Sequence, residues 1–180
     1  MPTAAWNDLA PGQGEPDWAP LAREFSECKS TLILRIPSWA SYIASQQPLV
    51  WDSIPYRSNE QPANTRGIYA FVLLADQHSP SPIPPHSCVL YVGETGNTGN
   101  ATLISRLRSY RNIKSQRERP RVFQMLQTWG DYLMFYYASV NAGISTKDCE
   151  AELLDSLLPP VNNKDFSAIV ANARNAALSQ

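Results

Sequence analysis

Between Gly67 and Thr95 the chain carries two apolar segments, GIYAFVLLAD and CVLYVGET, parted by the proline-rich DQHSPSPIPPHS. Both are rich in β-branched and aromatic residues, and the first is apolar almost without a break, as a strand buried on both faces would be. A connection of this length permits an antiparallel pair. Each segment also sets one tyrosine near a glycine, Tyr69 after Gly67 and Tyr91 before Gly93.

Downstream, ATLISRLRSYRN places Leu103, Leu107 and Tyr110 on one face of a predicted helix. RPRVFQMLQTWG reads as a second helix ended by Gly130. DYLMFYYASV reads as a third strand. STKDCEAELLDSLLPP reads as a helix opened by Ser145 or Thr146 and closed by two prolines, and DFSAIVANARNAALSQ as one more. The order strand, strand, helix, helix, strand, helix lacks βαβ alternation. It predicts an α/β sandwich of the α+β type, with a small, three-stranded, mainly antiparallel sheet flanked by helices. Residues 1–63 form an N-terminal extension of unknown role. Its first 20 residues are a loose Pro-, Gly- and Ala-rich arm, and Pro37 interrupts the mixed segment that follows. Residues 64–165 form the main domain, and 166–180 a terminal helix packing on it.

The net charge of −1 hides an uneven distribution. Arg106, Arg108, Arg111, Lys114, Arg117, Arg119 and Arg121 crowd one stretch, opposed there only by Glu118. A polyanion site on this chain would therefore be local, and the run is its expected phosphate-tracking surface. A solvated basic face is the plain alternative. Cys28, Cys88 and Cys149 are far apart and odd in number, which suits reduced thiols rather than a zinc site. His78 and His86 flank the proline-rich stretch without metal-ligand spacing to a cysteine. No apolar run approaches the ~20 residues of a membrane span, and the N-terminus lacks a basic segment followed by an apolar one. These features read as a cytoplasmic protein without a membrane partner. Delivery into another cell by a route needing no such signal stays open.

Two charged residues stand on apolar faces. Glu150 precedes Leu153 and Leu154 by three and four residues, so it shares their stripe, whereas Glu152 and Asp155 point away. A carboxylate so placed is costly unless it is paired or binds a metal. Its alternatives are to reach water from the first turn or to cap amides there. Arg106, four residues before Tyr110, borders the apolar face of its own helix, and Arg108 faces away. GETGNTGN looks like a phosphate cradle, but no GK[ST] follows it.

Taken together, GIY at 67–69 and YVG at 91–93 resemble the two signature triads of the GIY-YIG nuclease superfamily. SRLRSY (105–110) resembles its helix motif, an arginine followed four residues later by histidine or tyrosine. CEAELLDSLLPPVNN (149–163) resembles its closing motif, with Glu150, Leu153 and Leu154, Pro159 and Asn162 in order. The resemblance covers roughly residues 64–165. The connection between the triads is longer than in the superfamily's repair enzymes and is similar to that of some of its restriction endonucleases.

The resemblance implies hydrolysis of a phosphodiester with one divalent ion per site, magnesium or manganese. It casts Glu150 as the metal ligand and Arg106 as the partner of a non-bridging phosphate oxygen. Tyr69 is the implied general base, with Tyr91 orienting the attacking water or sharing that role. Tyr110 would brace the site, and Asn162 would anchor the loop after its helix or touch phosphate. DNA is the first expected partner, for a monomer or homodimer. A catalytically silent scaffold binding nucleic acid or protein, and a nuclease acting on RNA or branched DNA, are the competing readings. For the tyrosines the bland alternative is packing, and for Asn162 a turn.

Overall fold

The computed structural model describes residues 49–74, 87–112, 119–162 and 166–178, all within one compact unit. Four strands form the sheet: β1 (Trp51–Pro55), β2 (Gly67–Leu74), β3 (Ser87–Thr95) and β4 (Leu133–Ser139). Their order is β1-β4-β2-β3 and every pairing is antiparallel. Four α-helices accompany them: α1 (Leu103–Arg111), α2 (Pro120–Trp129), α3 (Thr146–Leu157) and α4 (Ala168–Leu178). The architecture is thus α+β, as expected, but with one strand more than the three predicted. The added strand, β1, lies upstream of residue 64 and pairs with the outer edge of β4. WDSIP gave no clear period-2 signal, because only Ile54 of its five residues is buried and Pro55 ends it. A proline is tolerated on such an edge, where its missing N–H costs no ladder bond.

Strand β2 is central and buried along its first six residues, which explains its unbroken apolar run. Its two faces feed two cores. Tyr69 and Phe71 meet Leu103, Leu107 and Tyr110 of α1, Val122, Met125 and Leu126 of α2, and Phe135 of β4. Ile68, Ala70 and Val72 meet Val92, Val140 and, from α3, Cys149, Leu153 and Leu154. The sheet is therefore sandwiched, with α1 and α2 on one side and α3 on the other. Near the C-terminus, Phe166 packs against the second core and Val170 of α4 is buried.

Local signals start the helices. Thr102 caps α1 in a capping box, its hydroxyl accepting from Ser105 N while the Ser105 hydroxyl accepts from Thr102 N. Ser145 caps α3 by accepting from Asp148 N at 3.2 Å. Gly130 does follow α2, but with helical dihedrals, leading into a 3-10 turn at Gly130–Tyr132. The space it leaves is taken by the Arg57 guanidinium.

The end of α3 matters for the site. Pro159 disfavours helical dihedrals at the residue before it, and Leu158 adopts φ +47°. That conformation costs a branched residue about 1–2 kcal/mol, and the buried Leu158 side chain offsets it. The turn delivers Val161 and Asn162 to the open edge of β3. Val161 N donates to Leu90 O at 3.0 Å. The Asn162 amide accepts from Val92 N and donates to Val92 O, both at 2.9 Å. One side chain thus pairs the edge strand as a neighbouring backbone would.

Strand β3 also carries a bulge. Phe71 pairs with Tyr91 while Val72 pairs with Val89, so Leu90 is extra. As a result Leu90 and Tyr91 both pack on the α1/α2 side, between Val89 and Val92 on the α3 side.

Candidate active site

Three phenols meet on the α1/α2 side of the sheet. Tyr69 comes from the centre of β2, Tyr91 from the bulge of β3 and Tyr110 from the last turn of α1. The Tyr69 and Tyr110 hydroxyls are 2.9 Å apart, and the Tyr91 ring packs beside both. Ring centroids lie 6.4 Å apart for Tyr69 and Tyr91, and 6.1 Å for Tyr91 and Tyr110. The Tyr69 ring stacks on Phe135 at 5.4 Å, fixing its plane. From below, Tyr56 donates its hydroxyl to Tyr110 O at 2.9 Å and so ties the end of α1 to the strand β1 side.

The glycines near the two strand tyrosines have different uses. A Cβ on Gly67 would collide with the Ala138 carbonyl of β4, so this glycine permits close approach of backbone. A Cβ on Gly93 would collide with the hydroxyl and Cζ of Tyr69. Gly93 is therefore the floor on which the Tyr69 phenol lies.

Cations surround the cluster. Arg106, half-buried on α1, is close enough to Tyr69 for its charge to favour the ionised phenol. Its Nε is buried and has no hydrogen-bond partner among the described residues. Arg119, at the N-cap of α2, donates Nη1 to the Tyr110 hydroxyl at 3.1 Å, with its guanidinium carbon 5.8 Å from the Tyr110 ring centroid. Its charge is felt at all three phenols. Glu150, half-buried on α3, is near enough to Tyr91 to oppose a second negative charge there.

Burial dominates the acidity of the three phenols and pushes each well above the ordinary tyrosine value. For Tyr69 the neighbouring Tyr91 adds to this, while the Tyr110 hydrogen bond, Arg106 and Arg119 pull the other way without cancelling it. All three are protonated at neutral pH. Tyr69 is only 2% exposed, whereas Tyr91 is half-buried.

The basic run divides once it is folded. Arg111 spends its guanidinium on backbone, donating from Nε and Nη2 to Tyr56 O at 3.0 and 2.9 Å. Arg108 is exposed and reaches Gln61 Oε1 at 3.2 Å. Arg121 is exposed on α2. Lys114 and Arg117 lie outside the described residues. Asn162 serves the edge of β3 as described, the anchoring one of its two expected roles. Spacing alone assigned Arg119 to the surface run. Its place beside Tyr110 depends on how α2 packs against α1, which no local motif records.

Comparisons with protein-family models, with curated proteins and with solved structures returned no match. Among the described residues no three His, Cys, Asp or Glu side chains are grouped so that they could hold a metal ion, and no helix is long and apolar enough to cross a membrane. Chemically, the cluster offers two guanidinium groups to an anion, the phenol of Tyr91 to a water, with Tyr69 and Tyr110 buried behind it, and one carboxylate to a cation.

Proposed function

We propose that the chain is a metal-dependent endonuclease that hydrolyses phosphodiester bonds of DNA with a GIY-YIG type of active site. The observation that carries this reading is the Arg106 Nε, buried near Tyr69 and without a partner among the described residues. A buried donor left unsatisfied costs about 1–3 kcal/mol, more when charged. A phosphate oxygen would satisfy it, and a guanidinium fork suits that partner.

Arg106 would neutralise a non-bridging oxygen, most strongly as charge builds up in the transition state. Tyr91, the least buried of the three phenols, would orient the attacking water, and Tyr69, protonated in the free protein, would serve as the base once the Arg106 charge and a bound ion favour loss of its proton. Glu150 fits a magnesium or manganese ion, since a hard cation that keeps several waters needs only one or two carboxylates beside the phosphate. Bound there, the ion would supply Lewis acidity at the phosphate and leaving oxygen. Arg108 and Arg121, both exposed, remain for tracking the backbone. One such site cuts one strand per visit, so a double-strand break would need a homodimer or a second encounter.

The burial of Tyr69 favours a second reading, a scaffold that binds nucleic acid without cutting it. A supercoiled-plasmid assay with magnesium, wild type beside Glu150→Ala, separates the two. Nicking by the wild type alone, with both proteins equally stable to heat, is the expected result. Binding without cleavage by either would leave the scaffold or an RNA or branched substrate. Equal cleavage by both would remove Glu150 from the site.

A further inference from the structure

We propose that a second phosphate site lies outside the phenol cluster: the polar cavity between Arg57 and Arg111 holds one phosphodiester of the nucleic-acid backbone, away from the bond to be cut. This rests on the nucleic-acid reading of the chain, whether or not it cuts.

The turn after β1, YRSNEQ (56–61), gathers guanidinium groups from separate parts of the sequence. Arg57 belongs to the turn, while Arg108 and Arg111 reach it from α1 through Gln61 and Tyr56. Arg57 and Arg111 line a cavity of about 380 Å³ with Ser58, Asn59 and, from α2, Gln127. Both cations are held in place before any ligand arrives. Arg111 donates from Nε and Nη2 to Tyr56 O, and its Nη1 and Nη2 lie 3.4 and 3.5 Å from Glu60 O. Carbonyl oxygens orient a cation without cancelling its charge, and partial burial works against that charge. An anion in the cavity would offset both.

Arg57 packs over Gly130, where no Cβ obstructs it, and its Nη1 pairs with Asp131 at 2.9 Å. Both side chains of that pair are more than half exposed, so it holds weakly and a phosphate competes for Arg57. Glu60 is the other acid of the turn; it is exposed, and its charge is felt at Tyr137. A guanidinium fork suits phosphate oxygens, and the exposed Asn59 amide can add a donor. The cavity is well separated from Arg119 at the start of α2. Along that helix the stretch from Arg119 to Gln127 spans about 12 Å, roughly the rise of three to four nucleotides in one strand. A backbone contact at this remove fixes register and orientation on the duplex and reads no sequence.

The test is equilibrium binding of a fluorescent duplex oligonucleotide to the full chain, without magnesium so that nothing is cut. Arg57→Gln should weaken binding about fivefold to tenfold at roughly 0.1 M salt and lower the salt slope by about one. Asn59→Asp, which adds a carboxylate at an exposed position of the cavity, should also weaken it. Asp131→Asn releases Arg57 and should tighten binding, by more than Glu152→Gln, which removes the same charge from α3 across the sheet. If Arg57 serves only its ion pair, Arg57→Gln and Asp131→Asn will lose stability together and leave affinity unchanged, which overturns the assignment. The second readout is titration with inorganic phosphate, followed at the backbone amides of Ser58 and Asn59. They should move in the wild type and stay in place in Arg57→Gln. Amides that follow phosphate while every variant keeps its duplex affinity would mean a pocket for small anions and end the backbone role. If the wild type binds no duplex, the nucleic-acid reading fails; moving amides then keep the anion site, and unmoved ones remove it.

Discussion

The phenol of Tyr69 lies across the bare Cα of Gly93, its partner in the β2/β3 ladder. A strand glycine here serves the side chain of its neighbour rather than a turn. Gly93→Ala should force the Tyr69 ring off its Phe135 stack and part its hydroxyl from Tyr110. The expected cost is about 1–3 kcal/mol in stability, as for other overpacked cores, with cleavage falling further than stability explains. Urea titration beside the plasmid assay checks both. An alanine variant as active and as stable as wild type would show that the phenol has room to spare.

Arg106, like Arg66 and Thr95, carries a buried polar atom without a hydrogen-bond partner among the described residues, and of the three it is the one beside the phenols. Arg106→Ala should lower turnover by about a hundredfold to a thousandfold, the usual scale for one preorganised contact to developing charge. Because that contact awaits the substrate, thermal stability should hold or rise. Arg106→Lys should recover little, since an ammonium lacks the fork. Single-turnover rates at saturating enzyme measure this directly, and a rate within threefold of wild type would return Arg106 to the solvated surface.

Asn162 uses both ends of its amide on Val92. Asn162→Ala leaves a buried N–H and C=O without partners, at about 1–3 kcal/mol for each group. Asn162→Asp should be no better, because a carboxylate accepts from Val92 N but cannot donate to Val92 O. Chemical denaturation of the two variants tests this. Were Asn162 a phosphate contact instead, both variants would keep their stability and lose affinity for DNA.

Alkaline pH probes the buried phenols. Burial holds Tyr69 and Tyr110 above the value of about 10 for a free tyrosine. The native state thus keeps protons that the unfolded chain releases. Their contribution to stability is complete below pH ~10 and is lost as pH climbs toward the folded values. Urea midpoints should be level from pH 7 to 9 with respect to these groups and decline above 10. Tyr69→Phe should show a shallower decline, and an equal slope would mean that Tyr69 does not titrate in this way.

Much of this was legible in the sequence where a local rule decides the outcome. The unbroken apolar run of β2 follows from burial on both faces, and the ends of α3 follow from Ser145 and Pro159. Long-range placement was not legible. β1 became a strand because β4 offered an open edge, not because WDSIP demands it. Glu150 lies at the border of its stripe rather than in it, being half-buried while Cys149, Leu153 and Leu154 are buried. Arg111 and Arg119 look alike in a basic run, yet one holds backbone carbonyls and the other a phenol. Only the packing of α1 against β1 and α2 tells them apart.

The surplus residue in β3 has a consequence for how the strand tolerates change in length. Counting strictly by twos from Cys88 would put Tyr91 under α3, and the bulge at Leu90 is what brings it round to the other phenols. Removing Leu90 would therefore restore simple alternation and leave Tyr91 on its present side, at the cost of one core leucine. A one-residue deletion within β2 or β4 would instead turn over every side chain beyond it. Position 90 is the one point described in this sheet where the chain can be shortened without exchanging its two cores.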